Sequence, residues 1–249
     1  MIFAAGLGTR LKPLTDTMPK ALVRVGGEPL LWHVIQKLKA AGYERIVVNV
    51  HHFAEQIVDY LKEHDNFGLD IRISDETDGL LETGGGIKKA LPLFDAESPI
   101  LIHNVDILSN LDLSALPTDA PLLVVSQRKT KRYLLFDDDL RLQGWTNIET
   151  GEKKGPVADS QLSTLRSSFA RLQGKNSQLS KLAFSGIHVM HPSLYPLFAD
   201  WPDRFPIMDF YLKACGEHLI RGYEATDLRL MDVGKLDTLD QAESFIKGL

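Results

Sequence analysis

Short apolar runs of β type alternate along this chain with segments of helical periodicity, and that alternation most restricts its fold. After Pro29, Leu31, Val34, Ile35 and Leu38 recur at helical spacing and stop at Gly42. Ile46-Val47-Val48-Asn49-Val50 follows as a buried strand, and Ile57, Tyr60 and Leu61 mark the next helix face. The runs 71–74, 100–103 and 122–125 read as further strands. Strand and helix in alternation imply right-handed crossovers and an α/β fold: a Rossmann-like, mostly parallel or mixed sheet flanked by helices. In such sheets ligands sit beyond the carboxyl ends of the strands. A chain of 249 residues, 44% of them hydrophobic, suffices for one sizeable domain over 1–249.

The first strand shows what the sheet edge is for. Met1 to Ala5 is apolar and runs into Gly6-Leu7-Gly8-Thr9-Arg10, with Lys20 ten residues after the arginine. Gly6 and Gly8 allow positive φ and close backbone approach, so successive N–H groups can converge on phosphate oxygens. Arg10 offers a planar fork and Lys20 a mobile point charge. Two common phosphate motifs are absent. A dinucleotide fingerprint needs a third glycine where Leu11 stands, and no Gly-Lys-Ser/Thr of a P-loop occurs. Ile100 to Asp106 is a second apolar strand, ending in Asn104-Val105-Asp106. A carboxylate at such an edge, beside phosphates, suits Mg²⁺. Glu82-Thr83-Gly84-Gly85-Gly86 is a second glycine cluster. It reads either as a plain helix start or as backbone on which a flat nucleobase lies.

The run from Ala4 to Leu14, with Thr15, Pro19-Lys20 and Gly27-Glu28-Pro29-Leu30, resembles the signature of the sugar-1-phosphate nucleotidyltransferases. The resemblance implies a glycosyltransferase-A-like nucleotidyltransferase fold. It gives a nucleotide-binding lobe near 1–125, a sugar-phosphate lobe near 126–225, and a closing segment 226–249. Family members begin their first strand two or three residues earlier. Larger members add a β-helix domain, which is not expected here because the chain ends at Leu249. The resemblance implies that Ala5, Gly6, Leu7, Gly8, Thr9, Arg10 and Lys20 bind the triphosphate, with Arg10, Lys20 and Asp106 catalytic. Asp232, in Asp232-Val233-Gly234, becomes the second Mg²⁺ carboxylate beside Asp106; taken alone it reads equally well as a helix N-cap. Asn104, Glu152, Gly186 and Asp232 are assigned to the sugar phosphate. Leu81-Glu82-Thr83-Gly84-Gly85-Gly86 is similar to the segment in a short branch acting on N-acetylmuramate 1-phosphate, and it assigns Glu82, Thr83, Gly84 and Gly85 to a uracil base. The expected partners are therefore a nucleoside triphosphate, UTP foremost, and a sugar 1-phosphate. Guanylyl transfer to mannose 1-phosphate, cytidylyl transfer to phosphocholine, and a non-catalytic nucleotide-sugar sensor are the alternatives.

Composition narrows the setting. No apolar run approaches the ~20 residues that span a bilayer, and no signal-peptide pattern is present. The net charge of −5 argues against a nucleic-acid surface. The single cysteine, Cys215, reads as a structural thiol and fits a reducing cytoplasm. A monomer or homodimer is expected. His51, His52, His64 and His188 read as structural. Leu162, Leu165, Phe169 and Leu172 mark an amphipathic helix that would serve as a lid or subunit contact.

Overall fold

The computed structural model describes residues 1–159 and 179–249. In the first half of the chain, β1 (Ile2–Phe3) leads into the glycine loop, and β2 (Arg24–Val25) and β3 (Glu28–Pro29) form a hairpin that feeds α1 (Leu30–Ala40). The alternation continues through β4 (Arg45–Val50), α2 (Ala54–Glu63), β5 (Asp70–Asp75), α3 (Glu82–Ala90) and β6 (Ile100–Asn104). β1 lies between β4 and β6, parallel to both, and β5 flanks β4 in parallel. The pleat of β4 sorts its side chains. Ile46, Val48 and Val50 enter the core under α1 and α2, while Val47 faces the other way toward Ile87 and Ile102. Each such side chain, fully buried, contributes about 1.5–3 kcal/mol.

The second half adds the antiparallel part. It comprises β7 (Ile107–Ser109), β8 (Leu122–Ser126), β9 (Arg132–Phe136), β10 (Leu142–Asn147), β11 (Lys153–Lys154) and β12 (Ser180–Met190), then α4 (Ile207–Ala214), β13 (Arg221–Glu224), β14 (Leu230–Asp232) and α5 (Leu239–Lys247). β12 runs antiparallel to β6, β8 and β9, so the sheet is mixed, in the order β11-β10-β9-β12-β6-β1-β4-β5. Gly186, at φ +79°, marks a register break in β12 between Phe184 and His188. A separate two-stranded ribbon pairs β14 with β7 and sets Asp232 opposite Ile107. No helix among the described residues is long and apolar enough to cross a membrane. The amphipathic segment from Leu162 to Leu172 lies outside the described residues.

Candidate active site

A cleft of about 390 Å³ opens at the carboxyl edge of the parallel strands. It is lined by the end of β1 and its loop, the segment between β5 and α3, and the turn after β6. Asn49, near the end of β4, fixes the first wall. Its Oδ1 accepts the N–H groups of Ala4 and Ala5 at 2.7 and 3.2 Å. Its Nδ2 donates to Glu76 Oε1 at 2.7 Å, and Glu76 Oε2 accepts from the Leu81 N–H at 3.1 Å. Both residues are buried, at 3% and 1% exposure.

Beyond Ala5 the chain leaves the sheet. Gly8 takes φ +63°, and its carbonyl accepts from the Leu11 N–H and the Thr15 hydroxyl, both at 2.8 Å. Gly6 needs no positive φ. Among the described residues, no protein acceptor takes the N–H groups of Gly6, Leu7 or Gly8. The loop thus offers consecutive free donors beside the cleft, an arrangement suited to an anion.

Opposite the loop, Lys20 is ion-paired with Asp106 in the turn between β6 and β7, and their side chains are only 12% and 16% exposed. The β7–β14 ribbon brings the second aspartate here, since the Val233 N–H donates to the Asp106 carbonyl at 2.8 Å. Partial desolvation, and then the negative charge of Asp106, hold the Asp232 carboxyl above its usual 3.8, against the pull of Lys20, Arg10 and Arg128. Arg10 also reaches this point. A Cβ placed on Gly234 would fall 2.6 Å from both Arg10 Nη2 and Asp232 Oδ1. Two mutually repelling carboxylates are an oxygen donor set that fits Mg²⁺, which takes one or two carboxylates and completes its shell with phosphate oxygens and water. No group of three or more His, Cys, Asp or Glu side chains converges to hold a metal among the described residues, at this cleft or away from it, so phosphate oxygens and water would have to complete the shell.

Of the residues expected at the site, Ala5, Gly6, Lys20, Glu82, Thr83, Asn104 and Asp106 line the cleft. Leu7, Gly8, Thr9 and Arg10 continue from it as the loop. Gly84 and Gly85 differ from expectation. They lie inside α3, their N–H groups donate to the Phe205 carbonyl at 2.8 and 3.3 Å, and a Cβ on Gly84 would stand 2.8 Å from that oxygen. Their Cβ faces are therefore filled by protein, and neither glycine lines the cleft. Glu82, at φ +62°, holds the strained first position of α3. The Thr83 hydroxyl accepts the Ile207 N–H at 2.9 Å, at the start of α4. Gly186 does not line the cleft but lies behind Asn104, where a Cβ would meet Asn104 Nδ2 at 2.8 Å. Glu152 also falls outside the cleft lining; it is exposed, and its carbonyl accepts the Asn147 N–H at 2.9 Å. Asp232 is not an N-cap, because the turn before α5 starts from Lys235.

His188 is fully enclosed; burial pushes its pKa down to about 3, and Tyr211 Oη lies 2.6 Å from its Nδ1. It stays neutral and structural. The motif reading missed Asn49 and Glu76. Their only trace in the sequence is a polar residue inside the apolar run 46–50 and one acid within Asp75-Glu76-Thr77-Asp78.

The fold is an α/β fold of nucleotidyltransferase type. Residues 1–121 match the family model described as Nucleotidyl transferase. The chain is similar to the N-acetylmuramate alpha-1-phosphate uridylyltransferase of Caulobacter vibrioides, with 50% identity over 108 residues, 43% of this chain and 44% of that protein. It is also similar to the mannose-1-phosphate guanyltransferase of Kluyveromyces lactis, with 41% identity over 110 residues, 43% of this chain and 30% of that protein. The match thus spans less than half the length of these curated relatives. Among solved structures, a putative glucose-1-phosphate thymidylyltransferase from Bacillus anthracis superposes with a TM-score of 0.77 at 13% identity, covering 100% of this chain and 94% of that one. That likeness is one of fold, with the mixed sheet of glycosyltransferase-A type.

Proposed function

We propose that this chain transfers a uridylyl group from UTP to a sugar 1-phosphate, with N-acetylmuramate 1-phosphate as the leading acceptor. The observation that carries the reading is the Lys20–Asp106 ion pair in the cleft, beside free loop amides and within electrostatic reach of Asp232, which does not itself line the cleft. The 50% identical relative named for that substrate supports the choice of base and sugar. An oxygen of the sugar phosphate attacks the α-phosphorus in line. The new P–O bond forms as the bond to the β-phosphate bridging oxygen breaks, and pyrophosphate leaves with that electron pair. No nucleophilic side chain is required. The difficulty is the crowding of several negative charges in one place. The loop amides and Arg10 hold the triphosphate tail, and Lys20 neutralises charge on the reacting phosphates. Asp106 and Asp232 would hold Mg²⁺, which supplies positive charge between the two anions.

Guanylyl transfer to mannose 1-phosphate is the second reading, favoured by the 41% identical guanyltransferase. A matrix of four nucleoside triphosphates against hexose, amino-sugar and N-acetylmuramate 1-phosphates, read by pyrophosphate release, separates them. Turnover with UTP and N-acetylmuramate 1-phosphate is expected. Turnover confined to GTP selects the second reading, and none with any pair overturns both.

A further inference from the structure

We infer that Asn49 and Glu76 are positioning residues: a buried clamp of fixed polarity that holds the two nucleotide-facing loops in register. The inference rests on the nucleotide-binding reading of the cleft and extends it to two buried residues of its lining. Each end of the clamp grips a different wall. Asn49 holds the amides of Ala4 and Ala5, where β1 turns into the glycine loop. Glu76 holds the amide of Leu81, where the chain turns into Glu82 and α3. The 2.7 Å bond between the two side chains is the link.

The donors and acceptors permit one arrangement. Ala4 and Ala5 both present N–H groups, so the Asn49 oxygen must face them and its NH₂ must face Glu76. Glu76 then meets a donor on each side, Asn49 Nδ2 and the Leu81 N–H. A carboxylate can accept through both oxygens. An amide at position 76 offers one acceptor and one donor, so it must set N–H against N–H on one side. Gly86 seals the arrangement, since a Cβ there would fall 2.7 Å from Glu76 Oε1 and 3.2 Å from Asn49 Nδ2. A buried polar group left facing a like group is destabilising, because its lost hydration is not replaced by a hydrogen bond.

This polarity can be reversed by exchange. With Asn49→Asp, the side chain still accepts from Ala4 and Ala5 but sets carboxylate against carboxylate. With Glu76→Gln added, the introduced amide donates to position 49 and accepts from Leu81, so every bond returns with the central donor and acceptor interchanged. Turnover and amide hydrogen exchange would be measured on wild type, both single variants and the double variant. We expect each single variant to raise the nucleotide KM at least tenfold, with the acceptor KM within twofold. The double variant should return to within about threefold of wild type. Exchange at the amides of Ala4, Ala5 and Leu81 should quicken in the singles and slow again in the double. Single variants within twofold of wild type, equal shifts in both KM values, or a double variant no better than the worse single would overturn the clamp. Should a single variant fail to fold, the double decides, since a folded, active double supports the clamp and an unfolded one overturns it. If wild type turns over no nucleotide, the proposed function falls by itself, and the exchange pattern still decides for or against the clamp.

Discussion

The two glycine clusters of this chain look alike in sequence and are used in opposite ways. At Gly6 a Cβ would meet nothing within 4 Å, and the N–H groups of Gly6 to Gly8 are free of protein acceptors among the described residues. In α3, Gly84 and Gly85 give their N–H groups to Phe205, and their bare faces meet Phe205 and Asp203. Three glycines in a short helix forfeit about 1 kcal/mol each against alanine, so α3 exists because its packing requires it. One cluster leaves room for a ligand, the other for the protein's own C-terminal half. A glycine run states that space is needed and says nothing about what fills it.

The sharpest break between the regions should come from the charges around the open loop. Lys20→Ala and Asp232→Ala are each expected to lower kcat by about 10²–10³, or ~3–4 kcal/mol, as when one preorganised charged group is removed. Both variants should remain folded by circular dichroism. Steady-state pyrophosphate release checks this, and near-native turnover in either variant would remove that residue from the mechanism.

The closed cluster should fail the other way. Gly85→Ala drives a methyl into the Asp203 carbonyl, which is backbone and yields little. Overpacking of this kind costs about 1–3 kcal/mol. A domain of this size loses about 2–4 °C of melting temperature for each kcal/mol. The nucleotide KM of the folded protein should be unaltered. A lowered melting temperature with an unchanged KM places Gly85 in packing; the reverse outcome would return it to the base site.

The same contrast separates what was legible in the sequence from what was not. Hydrophobic periods reveal which face of an element is buried, so α1, α2, β4 and β5 fall where the pattern puts them. The loop stands out in the sequence because its glycines lie beside Arg10 and Lys20. The packing of Gly84 and Gly85 was hidden because their partners, Asp203 and Phe205, are more than a hundred residues away. Asn49 and Glu76 were invisible for a related reason. Their chemistry exists only as a pair, brought together by the parallel pairing of β4 with β5. Gly186, assigned to the sugar phosphate by resemblance, stands behind Asn104, a neighbour that only the β12–β6 pairing brings to it.

A smaller effect follows from the raised pKa of Asp232. The unfolded carboxyl gives up its proton near the ordinary 3.8, and the folded one does so at higher pH. Between these values the folded state binds more protons, so stability falls as pH rises through that window and is level above it. Asp232→Asn should remove this slope. Urea unfolding across the acid range at low salt, without divalent cations, checks it, and an equal slope in the variant would deny that burial and the charge of Asp106 raise this carboxyl. Added Mg²⁺ should then raise the melting temperature of wild type and leave that of the variant nearly unmoved.

The least effect on stability is expected at Gly6, and it sharpens the comparison most. Gly8 is held at φ +63°, and a Cβ there would press on Thr15 Cγ2 at 2.9 Å and Lys20 Cβ at 3.0 Å, so alanine at that position disturbs fold and site together. Gly6 has neither restraint. Gly6→Ala should therefore change unfolding free energy by no more than about 0.5 kcal/mol, the usual range for a surface substitution. If phosphates approach the loop backbone, however, the added methyl stands in their path, and the nucleotide KM should rise while the acceptor KM holds. A variant unchanged in stability and in nucleotide affinity would mean that the open space beside Gly6 is not where the triphosphate lies. The difference between the two glycine clusters would then be one of packing alone.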